Sequence, residues 1–186
     1  MEAFFVSIVV VALGEIGDKT QLLALMLAAR LRKPVPIILG IVVATLFNHT
    51  LAGLLGGWVR QVVPANVLRW LLALSFLAVA LWALKPDTID DEAPVPHSHL
   101  SAFMVTVVAF FLAEIGDKTQ IATVMLAARF DNLVAVVAGT TLGMLIADVP
   151  VVLLGRMAAN KIPFKAVRIV AACLFAALAV LTLLAG

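Results

Sequence analysis

One seven-residue segment, EIGDKTQ, occurs twice in this chain, at residues 15–21 and again at 114–120. The duplication extends well beyond it. Shifting the sequence by 99 residues gives 18 identities in the 42 positions that pair 15–56 with 114–155, without a gap. Apolar composition alone does not supply so many matches, so the chain is an internal duplication. Any fold that it adopts must be built from two similar halves.

Each half is almost entirely apolar. Hydrophobic residues make up 64% of the chain, and its mean hydropathy is +1.16. Apolar runs cover about 3–29, 35–58, 66–84, 100–128, 133–155 and 164–185, and a bilayer-spanning helix needs ~20 such residues. None of the runs alternates with a period of two, which favours helices over a barrel. We therefore predict an all-α integral membrane protein with six transmembrane helices.

The one substantial hydrophilic segment, at 85–99, divides the six spans into equal sets. It is acidic and rich in proline, which indicates a linker, and its His97 and His99 have no role that the sequence decides. The first three-helix repeat is then 1–84 and the second 100–186. Because each repeat has an odd number of spans, the second must enter the membrane from the opposite side. We expect two inverted repeats, an arrangement typical of transporters.

The Lys and Arg residues outside the two motifs are distributed unequally. Eight fall in the first turn, the central linker and the last turn, and three fall on the other side of the predicted topology. The positive-inside rule predicts a cytoplasmic linker with both termini outside. Since the orientation of the chain in the membrane accounts for these basic residues, we expect no nucleic-acid partner. The single Cys173 has no partner for a disulfide, and we expect a packed core thiol.

Both motif copies lie near the middle of long apolar runs, where an ionised side chain costs at least ~2.5–3.5 kcal/mol. That cost, incurred twice, indicates a function. If the segment stays helical, each copy presents two carboxylates and an amide along one stripe. Inverted symmetry would bring the stripes together near the midplane as a four-carboxylate cage for a cation, with amide oxygens beside it. The stripes consist of Glu15, Asp18 and Gln21, and of Glu114, Asp117 and Gln120.

Glycine and lysine occupy fixed positions between and after these acids. Gly17 and Gly116 allow either close helix packing or a broken helix with exposed carbonyls. Lys19 and Lys118 follow the motif glutamates by four residues, which predicts an ion pair within each copy. Four carboxylates and two ammonium groups leave a net charge of −2, the complement of one divalent cation. A buried ion-pair lock between helices is the structural alternative, but it does not explain the other polar residues of the motif.

Five further polar residues are candidates to support a metal or proton site: Thr20, Thr119, Asn48, His49 and Asp148. The shift of 99 residues pairs His49 with Asp148, in the second span of each half. Asp148 has no cation near it in sequence, so it is the best further candidate for a proton or metal site. For Asn48 and His49, an interhelical hydrogen bond is an equally good explanation.

The doubled E-x-G-D-K-T motif resembles the signature of a small cation-exporter family that includes Golgi manganese/calcium transporters, a chloroplast manganese transporter and bacterial manganese exporters. The resemblance covers the whole chain, with six spans, two motif-bearing halves and an acidic central linker. It implies a secondary active transporter in a bacterial plasma membrane that exports Mn²⁺, or Ca²⁺ in some members, in exchange for protons. It also implies that no cofactor is needed and that the ion ligands are Glu15, Asp18, Glu114 and Asp117.

Three other functions fit the sequence less well than cation export does. The chain has no H-E-x-x-H segment and no serine in a nucleophile setting, so we do not expect an enzyme. Export of a small organic cation or amino acid fits less well, because the converging acids have no aromatic lining. A passive cation channel would not need duplicated inverted halves, which favour alternating access. The sequence leaves open a monomer or a homo-oligomer as the working unit.

Overall fold

The computed structural model describes residues 1–86, 101–154 and 163–184. Within these ranges the chain forms eight α-helices and no strand, as predicted for an all-α protein. In chain order they are α1 (Glu2–Glu15), α2 (Lys19–Leu31), α3 (Pro34–Val62), α4 (Ala65–Ala83), α5 (Ala102–Glu114), α6 (Lys118–Arg129), α7 (Leu133–Leu154) and α8 (Phe164–Leu184). The predicted linker falls mostly outside the described residues, and so do His97 and His99.

Four of the helices, α3, α4, α7 and α8, are long and apolar enough to cross a membrane, and α5 is a shorter apolar helix. Their surfaces carry large apolar side chains, such as Phe47, Leu51 and Leu54 on α3. The acids of the two motifs are buried instead. Apolar groups outside and charges inside are what a bilayer requires of its proteins. The chain is a multi-pass membrane protein.

The first and fourth apolar runs each form two helices, so the broken helix that the sequence leaves open as an alternative is observed in both. The run at 3–29 forms α1 and α2, and the run at 100–128 forms α5 and α6. Both interruptions fall within the motif. Cys173 differs from expectation, because it is exposed on α8 rather than packed in the core.

The duplication in sequence recurs in the helices. The shift of 99 residues places α1, α2, α3 and α4 on α5, α6, α7 and α8. Each half's long central helix packs against the first helix of the other half, so α3 lies on α5 and α7 lies on α1. The two halves are therefore interleaved.

Two equivalent glycines make these contacts possible. A Cβ added to Gly40 of α3 would lie 2.7 Å from the Thr106 Cβ on α5. A Cβ added to Gly139 of α7 would lie 2.8 Å from the Ser7 Cβ on α1. Thr106 and Ser7 are themselves related by the shift of 99 residues. Glycine lets the helix backbones approach closely at both places, as in other membrane bundles, and so brings both motifs against α3 and α7.

Candidate functional site

Each motif lies at a break between two helices. In the first copy, α1 ends at Glu15 and α2 begins at Lys19, with Gly17 at φ +84° between them. In the second, Gly116 has φ +73° between α5 and α6. These positive φ angles lie in the region that glycine enters without the steric cost of a Cβ. Both motif glycines therefore break the helix, and Gly17 is also closely packed, since a Cβ added there would lie 2.9 Å from the Phe164 Cδ1.

The motif glutamines stabilise the breaks. Gln21 Oε1 accepts a hydrogen bond from the Gly17 N–H at 2.9 Å, and its Nε2 donates to the Ala147 carbonyl oxygen of α7 at 3.0 Å. Gln120 Oε1 accepts from the Gly116 N–H at 2.8 Å. The break leaves backbone groups without helical partners, and the amide oxygens satisfy one in each copy. The sequence predicts both amide oxygens beside the carboxylates of the cage, and in the structure each of them accepts from the backbone of its own motif.

The motif aspartates occupy the N-cap positions of the second helices. Asp18 Oδ1 accepts from the Lys19 backbone N–H at 2.6 Å. Asp117 Oδ2 accepts from the Thr119 hydroxyl at 3.0 Å. Aspartate is a favoured N-cap residue, and the positive end of the helix dipole favours its charge. The break therefore holds two carboxylates at helix N-termini inside the protein.

Three carboxylates from the two halves converge. One oxygen from each of Glu15, Asp18 and Asp117 lies within 4.8 Å of the other two. All three residues are at most 1% exposed. Oxygen ligands bind Ca²⁺ at ~2.3–2.6 Å, so ligands on opposite sides of such an ion are ~5 Å apart. The three oxygens are therefore close enough to share one cation; we call them the acidic cluster.

The two motif lysines pair across the halves and not within them. Lys118 Nζ lies 3.2 Å from Asp18 Oδ2, and Lys19 Nζ lies 3.4 Å from Asp117 Oδ1. The predicted pairs with Glu15 and Glu114 are wrong, because the four-residue rule holds only in a continuous helix. The break moves each lysine onto the next helix, where it faces the other copy. The Lys118 side chain is only 4% exposed and that of Lys19 is 36% exposed.

Glu114 lies outside the acidic cluster, so the structure brings together three of the four acids of the predicted cage. Its Oε1 accepts from the Thr45 hydroxyl at 2.6 Å and its Oε2 from Asn48 Nδ2 at 2.9 Å, both on α3. The equivalent positions of α7 are Met144 and Ala147, which offer no side-chain donor. Interleaving thus gives the two motif glutamates different surroundings.

Glu15 has fewer partners than its counterpart. Its Oε1 accepts from the Thr20 hydroxyl, and its Oε2 has no hydrogen-bond partner among the described residues. Asp148 of α7 is also fully buried, and in the described part of the chain neither of its oxygens has a hydrogen-bond partner. Glu114 therefore has two neutral donors from α3, whereas the donor to Glu15, Thr20, comes from its own motif.

His49, the counterpart of Asp148, is fully buried on α3. Neither of its ring nitrogens has a hydrogen-bond partner within residues 1–86, 101–154 and 163–184. Thr45 was not singled out in the sequence. The sequence does contain a sign of its role: Thr45 precedes Asn48 by three residues, so its hydroxyl lies on the same face of an apolar helix as the Asn48 amide.

Comparison with known proteins identifies close relatives. The family model described as GDT1, divalent cation/proton antiporter, matches residues 3–91 and 102–186. A Vibrio cholerae protein provisionally named a manganese exporter is 51% identical over 183 residues, covering 98% of this chain and 90% of its own. A GDT1-like protein of Synechocystis is 30% identical over 202 residues, covering 98% of this chain and 97% of its own. No solved structure matches the chain.

Proposed function

Since the chain belongs to the GDT1 family of divalent cation/proton antiporters, we propose that it exports Mn²⁺ across the membrane in exchange for protons. The observation that carries this proposal is the acidic cluster, in which both halves contribute carboxylates to one buried point. A site shared by two halves is open to one side or the other as the halves shift. The 51% identical relative named for manganese export supports the choice of ion.

The ligand chemistry favours a hard divalent cation. Within the described residues, the cluster contains carboxylate oxygens and neither thiol nor imidazole. Such ligands suit Mn²⁺, Ca²⁺ and Mg²⁺, whereas sites for Zn²⁺ or Cu²⁺ normally recruit nitrogen or sulfur. Mg²⁺ releases its water reluctantly and demands a near-ideal octahedron. We therefore propose Mn²⁺ as the main substrate and Ca²⁺ as a weaker one, with no resident cofactor.

We assign the substrate ligands to Glu15, Asp18 and Asp117. Glu114, which lies outside the cluster, is proposed as a fourth acid that approaches the ion as the halves shift. In a supporting shell we place the hydrogen-bonding, ion-pairing and nearby buried groups, namely Lys19, Lys118, Thr20, Thr119, Gln21, Gln120, Asn48, His49 and Asp148. Gly17 and Gly116 supply the breaks that turn the carboxylates inward.

Proton exchange follows from competition for the same atoms. A carboxylate oxygen that holds a proton cannot also serve as an anionic ligand, so cation binding releases protons and proton binding releases the cation. The two lysine ammonium groups also compete with the cation, since each contacts an aspartate that we assign as a ligand of the cation. Export results when the cation binds from the cytoplasm and protons replace it from outside.

For the membrane arrangement, we propose six spans as two inverted three-helix repeats, 1–84 and 100–186. The first span of each repeat is a broken pair, α1 with α2 and α5 with α6. The linker at 85–99 is placed in the cytoplasm and both termini outside a bacterial plasma membrane. Support comes from the interleaved packing, because an odd number of spans per repeat lets each central helix meet the other repeat's broken pair.

Transport in liposomes tests the proposal directly. Purified protein is reconstituted with an Mn²⁺-sensitive dye inside, and a proton gradient is imposed with the membrane potential clamped. We expect Mn²⁺ to move against its own gradient in the wild type and to stop in Asp117→Asn. The matched control is Asp131→Asn, the same change at an exposed aspartate between α6 and α7. Mn²⁺ movement that is unchanged by the proton gradient and by a protonophore would refute the proposal that the protein is an antiporter.

A further inference from the structure

Three arginines that the cation site does not use line one cavity at an end of the helix bundle. Arg60 lies near the end of α3, Arg69 near the start of α4 and Arg129 at the end of α6. The cavity has a volume of about 320 Å³. All three residues lie near helix ends. The ends of a membrane-spanning helix lie at the level of the lipid headgroups. We call this cavity the arginine groove.

Protein groups satisfy only part of this positive charge. Arg60 forms an ion pair with the exposed Asp131, and Arg129 donates to the Leu178 carbonyl at 3.3 Å and to the Thr182 hydroxyl. The charge of Glu2 also acts on Arg129. Arg69 differs from the other two. Its Nε is buried, and it has no hydrogen-bond acceptor in the part of the chain that the structure describes. The groove therefore presents a buried donor that no described residue satisfies, beside two further guanidinium groups.

The walls of the groove favour a lipid as the source of that acceptor. Leu68 and Leu72 of α4 line it beside the arginines, so one cavity offers both guanidinium groups and apolar surface. Trp58 and Trp70 lie exposed near the same ends of α3 and α4, as aromatic residues do at the membrane interface. Guanidinium groups bind phosphate oxygens through paired, charge-assisted hydrogen bonds. A free phosphate would use the arginines alone and leave the apolar wall without a partner.

We propose that the arginine groove binds the phosphate of an anionic phospholipid, with Arg69 as a principal donor and the lipid's apolar part against Leu68 and Leu72. The site is lined by α3 and α4 of the first half and by α6 and α8 of the second half. A bound lipid would thus link helix ends from both halves, including the end of α6, the helix that begins in the second motif. This proposal does not depend on which ion is transported.

Native mass spectrometry of the full chain, released from detergent, tests the site. The lipids added are dioleoylphosphatidylglycerol and, for comparison, zwitterionic dioleoylphosphatidylcholine. We expect the wild type to retain phosphatidylglycerol preferentially, and Arg69→Gln to weaken that binding about tenfold, which corresponds to the loss of a charge-assisted hydrogen bond. Arg60→Gln is a second variant that should also weaken it. Arg30→Gln removes the same charge at the exposed end of α2 and should change nothing.

Three results would overturn the proposal. The first is equal retention of the two lipids, and the second is undiminished phosphatidylglycerol binding in both Arg69→Gln and Arg60→Gln. The third is loss of the lipid adducts in millimolar inorganic phosphate, which would assign the groove to free phosphate. Because the measurement counts bound lipid, a failure of cation transport would not affect it.

Discussion

Replacing Lys118 by glutamine should make the protein bind Mn²⁺ more tightly and transport it more slowly. The Lys118 ammonium is buried 3.2 Å from an Asp18 oxygen, so it holds a ligand that we assign to the cation. Two unit charges at that distance interact by about 5 kcal/mol at an effective dielectric constant of about 20. Part of that energy offsets the desolvation of the lysine itself. We therefore expect a net gain in Mn²⁺ affinity of about tenfold to a hundredfold, or ~1.4–2.8 kcal/mol.

The same substitution should lower stability when no divalent cation is present. Removing one partner of a buried ion pair typically costs ~3–5 kcal/mol. Bound Mn²⁺ restores part of this, because a ligand that binds only the folded state stabilises it. Lys19→Gln should show the same changes more weakly, since that side chain is 36% exposed and its pair is longer. Lys85→Gln, an exposed lysine after α4, is the control.

Thermal unfolding in detergent, followed by tryptophan fluorescence with and without 1 mM MnCl₂, measures both effects. We expect Mn²⁺ to raise the midpoint of Lys118→Gln roughly 3–10 °C more than that of the wild type. The transport rate in liposomes should fall, because the ammonium no longer helps to release the cation. A folded Lys118→Gln protein that binds Mn²⁺ as weakly as the wild type, or more weakly, would refute competition and make Lys118 an organiser of the site.

Three other changes test the site, the helix breaks and the topology. Glu15→Gln should reduce Mn²⁺ transport in liposomes at least tenfold while membrane insertion is unchanged, because it removes one anionic ligand; near-normal transport would exclude Glu15 as a ligand. Gly116→Ala should lower the free energy of unfolding by ~1–2 kcal/mol through backbone strain alone, since space for a Cβ is open there. The control Gly57→Ala, in an equally open helical position, should be neutral or stabilising by ~0.5–1 kcal/mol, and equal losses in both would contradict the strain. A reporter fused after Gly186 should be inactive if it requires the cytoplasm, and activity there would reverse the proposed orientation.

The sequence predicts the all-α membrane fold and the approximate boundaries of the four long helices, because both depend on hydropathy and length. The sequence also identifies the motif as functional, because charged residues within an apolar run cost free energy that a purely structural segment would avoid. The break at Gly17 was one of two readings, and nothing local decided between them. A helix and a left-handed turn are both open to glycine. What decides is the Gln21 side chain, which hydrogen-bonds the Gly17 N–H across the break.

The partners within the site were harder to predict. The lysine pairs were assigned within each copy because the four-residue rule assumes an unbroken helix. Once Lys118 starts a new helix, its partner depends on how the halves interleave, and that is a tertiary property. Thr45 escaped attention because its role exists only where α3 meets Glu114. A sequence gives the chemical groups of such a site, whereas packing decides which of them meet.

The interleaved packing also explains how identical motifs come to have different surroundings. Each motif contacts the central helix of the other half, so its environment is set by residues that the duplication has not kept alike. On α3, Thr45 and Asn48 bind the second motif's glutamate through neutral donors. On α7, the counterparts of these donors, Met144 and Ala147, offer no side-chain donor to the first motif's glutamate. The ion gradients set the net direction of an antiporter, but halves that differ give the bound cation different surroundings in the two states of the cycle. The divergence of α3 from α7, outside the repeated motif, is thus the structural source of unequal cation affinity in the two states of the proposed transport cycle.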